Sequence, residues 1–117
     1  MGRTVLIVDD HEAFRQSASA LLEAEGFQVV GQAADGTDAV EQSERLRPEV
    51  VLLDIQLPDA DGFTVAERLA ALPDAPRVVL ISSREAGAYG DRVRDAPARG
   101  FIPKRELSGK ALAALVG

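Results

Sequence analysis

Five polar side chains stand where apolar runs give out, and their types suit phosphoryl chemistry at a divalent cation. Asp9 and Asp10 follow Thr4–Val8, and Asp54 follows the apolar run 50–53. Ser82 ends Arg77–Ser82, and Lys104 comes just past Phe101 and Ile102. A carboxylate is a nucleophile toward phosphorus and forms an aspartyl phosphate. Two carboxylates about 5 Å apart repel by roughly 3 kcal/mol at an effective dielectric near 20. A cation among them removes that cost. An all-oxygen site with few protein carboxylates suits Mg²⁺, which keeps waters and shares its shell with a phosphate. Lys104 would add a compact positive charge, and Ser82 a hydroxyl donor, at the transferring group.

Each of these residues also has a plain structural reading. Asp10 could cap the first helix, Asp54 could be a turn residue, Ser82 a solvated strand end and Lys104 a surface lysine. Their joint occurrence at successive strand ends favours the chemical reading. His11 is assigned an exposed position with no catalytic task. Asp59 and Asp61 are assigned to a loop and a helix cap.

The rest of the chain must bring those ends together. Short β-rich runs alternate with helical patterns. Residues 4–8 form a first strand and 12–25 a helix, with Phe14, Ala18, Leu21 and Leu22 on one face and Gly26 as its stop. Residues 27–33 form a second strand, and 37–46 a second helix closed by Pro48. The continuous apolar run 50–53 suits a strand buried on both faces of a parallel sheet. A third helix spans 63–72, and a fourth strand 77–82. Residues 84–96 should form a helix, but Gly87 and Gly90 each cost about 1 kcal/mol against alanine there. With Pro97 beyond them, that helix is expected to be short, shifted or mobile. Residues 101–102 make a fifth strand, and a last helix starts near Ser108. Five βα units imply an α/β fold, a five-stranded parallel sheet with helices on both faces. Ligands on such sheets bind beyond the carboxyl ends of the strands. Neighbouring first and third strands would converge the three aspartates on one crevice.

Bulk composition narrows the function. The 117 residues suit one domain, spanning 1–117 with no output domain in this chain, and 46% are hydrophobic. There is no cysteine, which excludes a disulfide framework and a thiolate metal site and fits a cytoplasmic location. The apolar runs are too short for a signal peptide or a membrane span. The net charge of −6 argues against direct nucleic-acid binding. Residues 1–76 carry 5 basic and 15 acidic side chains, whereas 77–117 carry 8 basic and 4 acidic. Solvated faces explain this, or a basic surface that meets an acidic partner.

The segments 8–11, 29–36, 51–62, 81–83 and 100–104 together resemble the receiver domains of response regulators, across essentially the whole chain. The opening Asp9-Asp10-His11 and Val29-Val30-Gly31-Gln32-Ala33-Ala34-Asp35-Gly36 resemble the NarL/LuxR-type subfamily. The resemblance implies the flavodoxin-like strand order 2-1-3-4-5. It implies a phosphohistidine on a sensor histidine kinase as donor and Asp54 as acceptor. Mg²⁺ would be held by Asp10, Asp54 and the Gln56 backbone carbonyl, with Asp9 assisting. Ser82 would move toward the phosphoryl group and Phe101 change rotamer behind it, biasing a two-state surface. Gln56 and Arg84 occupy positions that tune phosphoryl lifetime. Such receivers usually precede a DNA-binding output domain, and a homodimer on phosphorylation is the family's pattern. Two departures bear on this: Arg105, not proline, follows Lys104, and Pro103 precedes it. A phosphorylation-independent interaction module is the alternative. A phosphatase with an aspartyl nucleophile is a third reading, opposed by Gln56 where such enzymes place a second acid.

Overall fold

The computed structural model describes residues 3–116. Its elements are β1 (Thr4–Val8), α1 (Glu12–Ala24), β2 (Gln28–Ala33), α2 (Gly36–Leu46), β3 (Val50–Asp54), α3 (Gly62–Ala70), β4 (Arg77–Ser82), α4 (Arg92–Asp95), β5 (Gly100–Pro103) and α5 (Gly109–Val116). Two 3₁₀ turns, Ala86–Tyr89 and Lys104–Glu106, flank α4 and β5. All strands are parallel, in the order β2-β1-β3-β4-β5. The flavodoxin-like sheet is the one the sequence implied.

Side chains alternate across the sheet because strand periodicity is two, and each face is covered by helices. Leu6, Val8, Val51, Leu53 and Leu80 pack with Ala39 of α2 and Phe63, Val65, Ala66 and Leu69 of α3. Val5, Ile7, Leu52, Val79 and Ile81 pack with Ala18 and Leu22 of α1 and Leu112 and Val116 of α5. All five residues of β3 are buried, as its unbroken apolar run requires. β3 runs one residue further than the apolar pattern indicates, so Asp54 is its last residue, paired in register with Ile81.

Pro103 lies within β5, next to Ser82 on the sheet edge, where a missing N–H costs no ladder bond. The 84–96 stretch does depart from a regular helix. It breaks into the 3₁₀ turn and a four-residue α4, separated by Gly90 at φ +60° and ψ −135°, where an L side chain would be strained.

Candidate functional site

The carboxyl ends of β1, β3 and β4 and the turn after β5 meet at one place. Asp9 is fully buried and Asp54 is 3% exposed. The Lys104 Nζ lies 2.5 Å from Asp9 Oδ2 and 3.4 Å from Asp54 Oδ2, bridging the two strand ends. That ammonium is the charged partner of the fully buried Asp9. The ammonium also stands 4.7 Å from the Phe14 ring centroid, a cation–π contact that steers Lys104 inward from α1. The other Asp9 oxygen accepts the His11 N–H at 2.8 Å, and the other Asp54 oxygen accepts the Gln56 N–H at 3.1 Å.

Burial pushes the Asp54 carboxyl up to about 6; the Gln56 N–H opposes this, the Asp9 charge adds to it, and Lys104 draws it down. For Lys104, burial favours the neutral amine, but Asp9 and Asp54 together outweigh it and hold the amine above its ordinary value.

Asp10 does not cap α1. The N-cap residue is His11, without a side-chain cap bond, and Asp10 is left partly exposed at the pocket rim. His11 is exposed, as assigned, but not isolated: its Nδ1 lies 3.1 Å from Asp10 Oδ1 and 3.2 Å from Asp9 Oδ1. One ligand atom each from Asp9, Asp10, His11 and Asp54 falls within 4.8 Å of the others. Three carboxylates at one place, those of Asp9 and Asp54 buried, fit a hard divalent cation, and receiver domains generally bind Mg²⁺ at such an acidic pocket.

The loop between β3 and α3 closes one side. Gln56 is exposed and forms an isolated bridge with Asp61. Gly62 approaches β3 so closely that a Cβ there would lie 2.6 Å from the Asp54 carbonyl oxygen. Asp61 caps α3 through the Thr64 N–H at 2.9 Å and pairs with Arg92 at 3.0 Å. Asp59 reaches across to α2, accepting from the Gly36 N–H at 2.8 Å and the Thr37 N–H at 3.0 Å. Those bonds hold its carboxyl below the usual range, the Gly36 bond contributing most. Both residues are thus a loop tie and a helix cap.

On the β4 side, Ser82 is fully buried. Its Oγ accepts the Arg84 N–H at 3.1 Å and lies 2.6 Å from the Tyr89 hydroxyl. Arg84 touches Ser82 only through its backbone N–H, and its side chain is exposed. Phe101 is half-buried, with its ring 6.4 Å from that of Tyr89. Sequence reasoning missed Tyr89, because nothing in its neighbours marks a 3₁₀ turn that aims it back at β4. It also missed Phe14 as the seat of Lys104. Of the basic residues in the last third, Arg92, Arg94, Lys104 and Arg105 each face a carboxylate, which leaves less unpaired positive charge than the count suggests.

These ends define a response regulator receiver domain. The model of that family matches residues 5–116, and the chain belongs to the family. Among its relatives is the transcriptional regulatory protein PdtaR of Mycobacterium tuberculosis, 36% identical over 102 residues, which cover 87% of this chain and 49% of that protein. A LuxR-family two-component response regulator from Aurantimonas superimposes with a TM-score of 0.88 at 25% identity, covering 99% of this chain and 86% of that one. CheY in a CheX–CheY–BeF₃–Mg²⁺ complex from Borrelia burgdorferi gives 0.81 at 29% identity, covering 97% and 86%. The chain spans about half the length of the curated relative PdtaR. Among the described residues, no helix is long and apolar enough to cross a membrane.

Proposed function

We propose that the chain is a phosphorylation-operated signalling switch, in which an Asp54 carboxylate oxygen accepts a phosphoryl group from a phosphohistidine on a sensor histidine kinase. The P–N bond to the kinase histidine breaks as the P–O bond to Asp54 forms, and the departing imidazole takes a proton from solvent. The observation that carries this reading is Lys104 held between the buried carboxylates of Asp9 and Asp54. No packing requirement explains two buried carboxylates and an ammonium at the strand ends of an otherwise apolar sheet, and their desolvation opposes folding. Phosphoryl transfer needs this arrangement, because its transition state is stabilised by fixed charge.

Asp9, Asp10, Asp54 and the Gln56 backbone carbonyl would hold Mg²⁺, an ion that the similar CheX–CheY–BeF₃–Mg²⁺ complex also contains. When bound, Mg²⁺ supplies positive charge to the phosphoryl oxygens. Lys104 adds a second cation and orients the group. Ser82 donates its hydroxyl to a phosphoryl oxygen, and Phe101 repacks behind it. Gln56 and Arg84, exposed at the mouth, set how readily water reaches the phosphoryl group.

Likeness to a LuxR-family regulator supports the NarL/LuxR subtype, and likeness to PdtaR an output in transcription; a cytoplasmic location, an output domain or downstream protein as effector, and homodimerisation on phosphorylation are proposed with it. One observation favours the phosphorylation-independent alternative: α4, part of the surface such a switch would present, is a single turn. Intact-mass measurement after incubation with Mg²⁺ and acetyl phosphate separates the two. One phosphoryl group is expected on the wild type and none on Asp54→Asn or in chelator. Absence of uptake by the wild type would favour the binding module.

A further inference from the structure

The best-defined contact on the β4 side is between two hydroxyls. Ser82 Oγ and Tyr89 Oη are 2.6 Å apart, and Ser82 is fully buried. Ser82 Oγ already accepts the Arg84 N–H. A hydroxyl has one proton and two lone pairs. Either Ser82 gives its proton to Tyr89, or Tyr89 fills the second lone pair of Ser82. Both arrangements fix the Ser82 rotamer. The first also removes the proton that a phosphoryl oxygen on Asp54 would need.

The Tyr89 ring is held as firmly as its hydroxyl. It stands edge-on to Phe63 of α3, with centroids 5.8 Å apart, and tilted against Phe101 of β5 at 6.4 Å. Arg92 of α4 closes the row, its guanidinium 4.3 Å from the Phe63 centroid. Within the 3₁₀ turn Tyr89 is the residue packed on the core, and Val93 and Ala96 hold the segment beyond it. No residue of the 3₁₀ turn or of α4 is fully buried. A Cβ at Gly87 would meet nothing within 4 Å, and Gly90 breaks the path with positive φ.

We infer that Tyr89 is a positioning residue for the phosphoryl site, holding the Ser82 hydroxyl in a resting rotamer and losing that bond when Ser82 turns to a phosphoryl group on Asp54. This rests on the proposed role of Asp54 and adds to it a specific link from Ser82 to the segment 86–95. Once its hydroxyl is unpartnered, Tyr89 gains by turning that hydroxyl to water. The 3₁₀ turn moves with it, because the ring is that turn's contact with the core. No covalent step is involved beyond the phosphorylation itself.

Tyr89 is the chain's single tyrosine and there is no tryptophan, so tyrosine emission reports this one side chain. The full chain is titrated with beryllofluoride and Mg²⁺ while emission is followed. A saturable change is expected in the wild type. In Ser82→Ala the resting emission should already differ, and the titration should produce little further change. Tyr89→Phe keeps the ring and removes the hydroxyl. Its phosphorylation by acetyl phosphate, read by intact mass, should be about fivefold faster than wild type, the low end of ordinary coupling between sites. If acetyl phosphate puts one phosphoryl group on wild-type Asp54 but emission stays constant and Tyr89→Phe reacts at the wild-type rate, the tyrosine link is wrong and the phosphoacceptor role stands. If the wild type takes up no phosphoryl group, both fail together.

Discussion

The two flanks of the acidic pocket are built to different standards. On the β1–β3 flank, every residue of β3 is buried, Gly62 seats α3 directly on the Asp54 backbone, and Asp59 ties the intervening loop to the start of α2. On the β4–β5 flank, the covering segment is a 3₁₀ turn and a one-turn helix held by Tyr89 and Val93 without a fully buried residue. The first flank carries the three carboxylates, and the second carries Lys104, pinned by Asp9 and Asp54, together with the groups expected to move. Charge stabilisation requires donors and cations fixed in advance. A surface that reports a bound group must instead be drawn from the low-stability end of the structure. On the proposed function, the difference in packing sets the acceptor and its neighbouring carboxylates on the firm flank and the readout on the loose one.

Four measurements would break or sharpen that contrast. Leu53→Ala on the rigid flank should destabilise by about 2–5 kcal/mol in urea unfolding, the usual range for a buried leucine. A cost under 1 kcal/mol would show that β3 is not tightly packed. Gly62→Ala should cost about 1–3 kcal/mol and impair phosphoryl uptake as well, because the added methyl displaces the backbone beside Asp54. Uptake at the wild-type rate would separate the loop from the chemistry.

The third concerns pH. Asp54 titrates at about 6 in the folded chain against 3.8 for an unperturbed aspartate. Over that window the native state holds more protons than the unfolded one, so stability falls as pH rises from about 4 to 6 and the loss is complete above 6. Asp54→Asn should therefore be more stable than wild type at pH 7, by on the order of 1 kcal/mol, with the gap closing toward pH 4. Lys104 keeps Asp9 as its partner in the variant. At the proposed site, Mg²⁺ would have to displace that proton from Asp54, so apparent Mg²⁺ affinity should weaken as pH drops below about 6. A variant less stable than wild type at pH 7 would contradict the burial cost. Last and smallest, Val93→Ala on the loose flank should cost under about 1 kcal/mol, since the side chain is only partly buried. A loss comparable to that of Leu53→Ala would erase the contrast.

The rigid flank was also the more legible in sequence. Thr4–Val8 coincides with the expected strand and Val50–Asp54 runs only one residue past it, because apolar β-branched runs bounded by polar residues leave little choice. Asp54, Asp9 and Lys104 could be placed together because a βα alternation puts every strand end on one side of the sheet. The short, interrupted fourth helix was foreseeable from Gly87, Gly90 and Pro97. What that segment does instead was not, since the turn that aims Tyr89 at Ser82 depends on contacts with Phe63 and Phe101 from distant parts of the chain. The capping role left open for Asp10 failed for a similar reason. The chain enters α1 with His11 as the N-cap, and only the folded strand end shows that Asp10 points to the pocket rim.

The central claim is that one carboxylate in this crowd becomes the phosphoryl carrier. Peptide mass spectrometry can locate the acid-labile group after treatment with acetyl phosphate and Mg²⁺. The account predicts a single modified site at Asp54, lost when Mg²⁺ is withheld. Labelling at any other residue, or equal labelling without the metal, would contradict it.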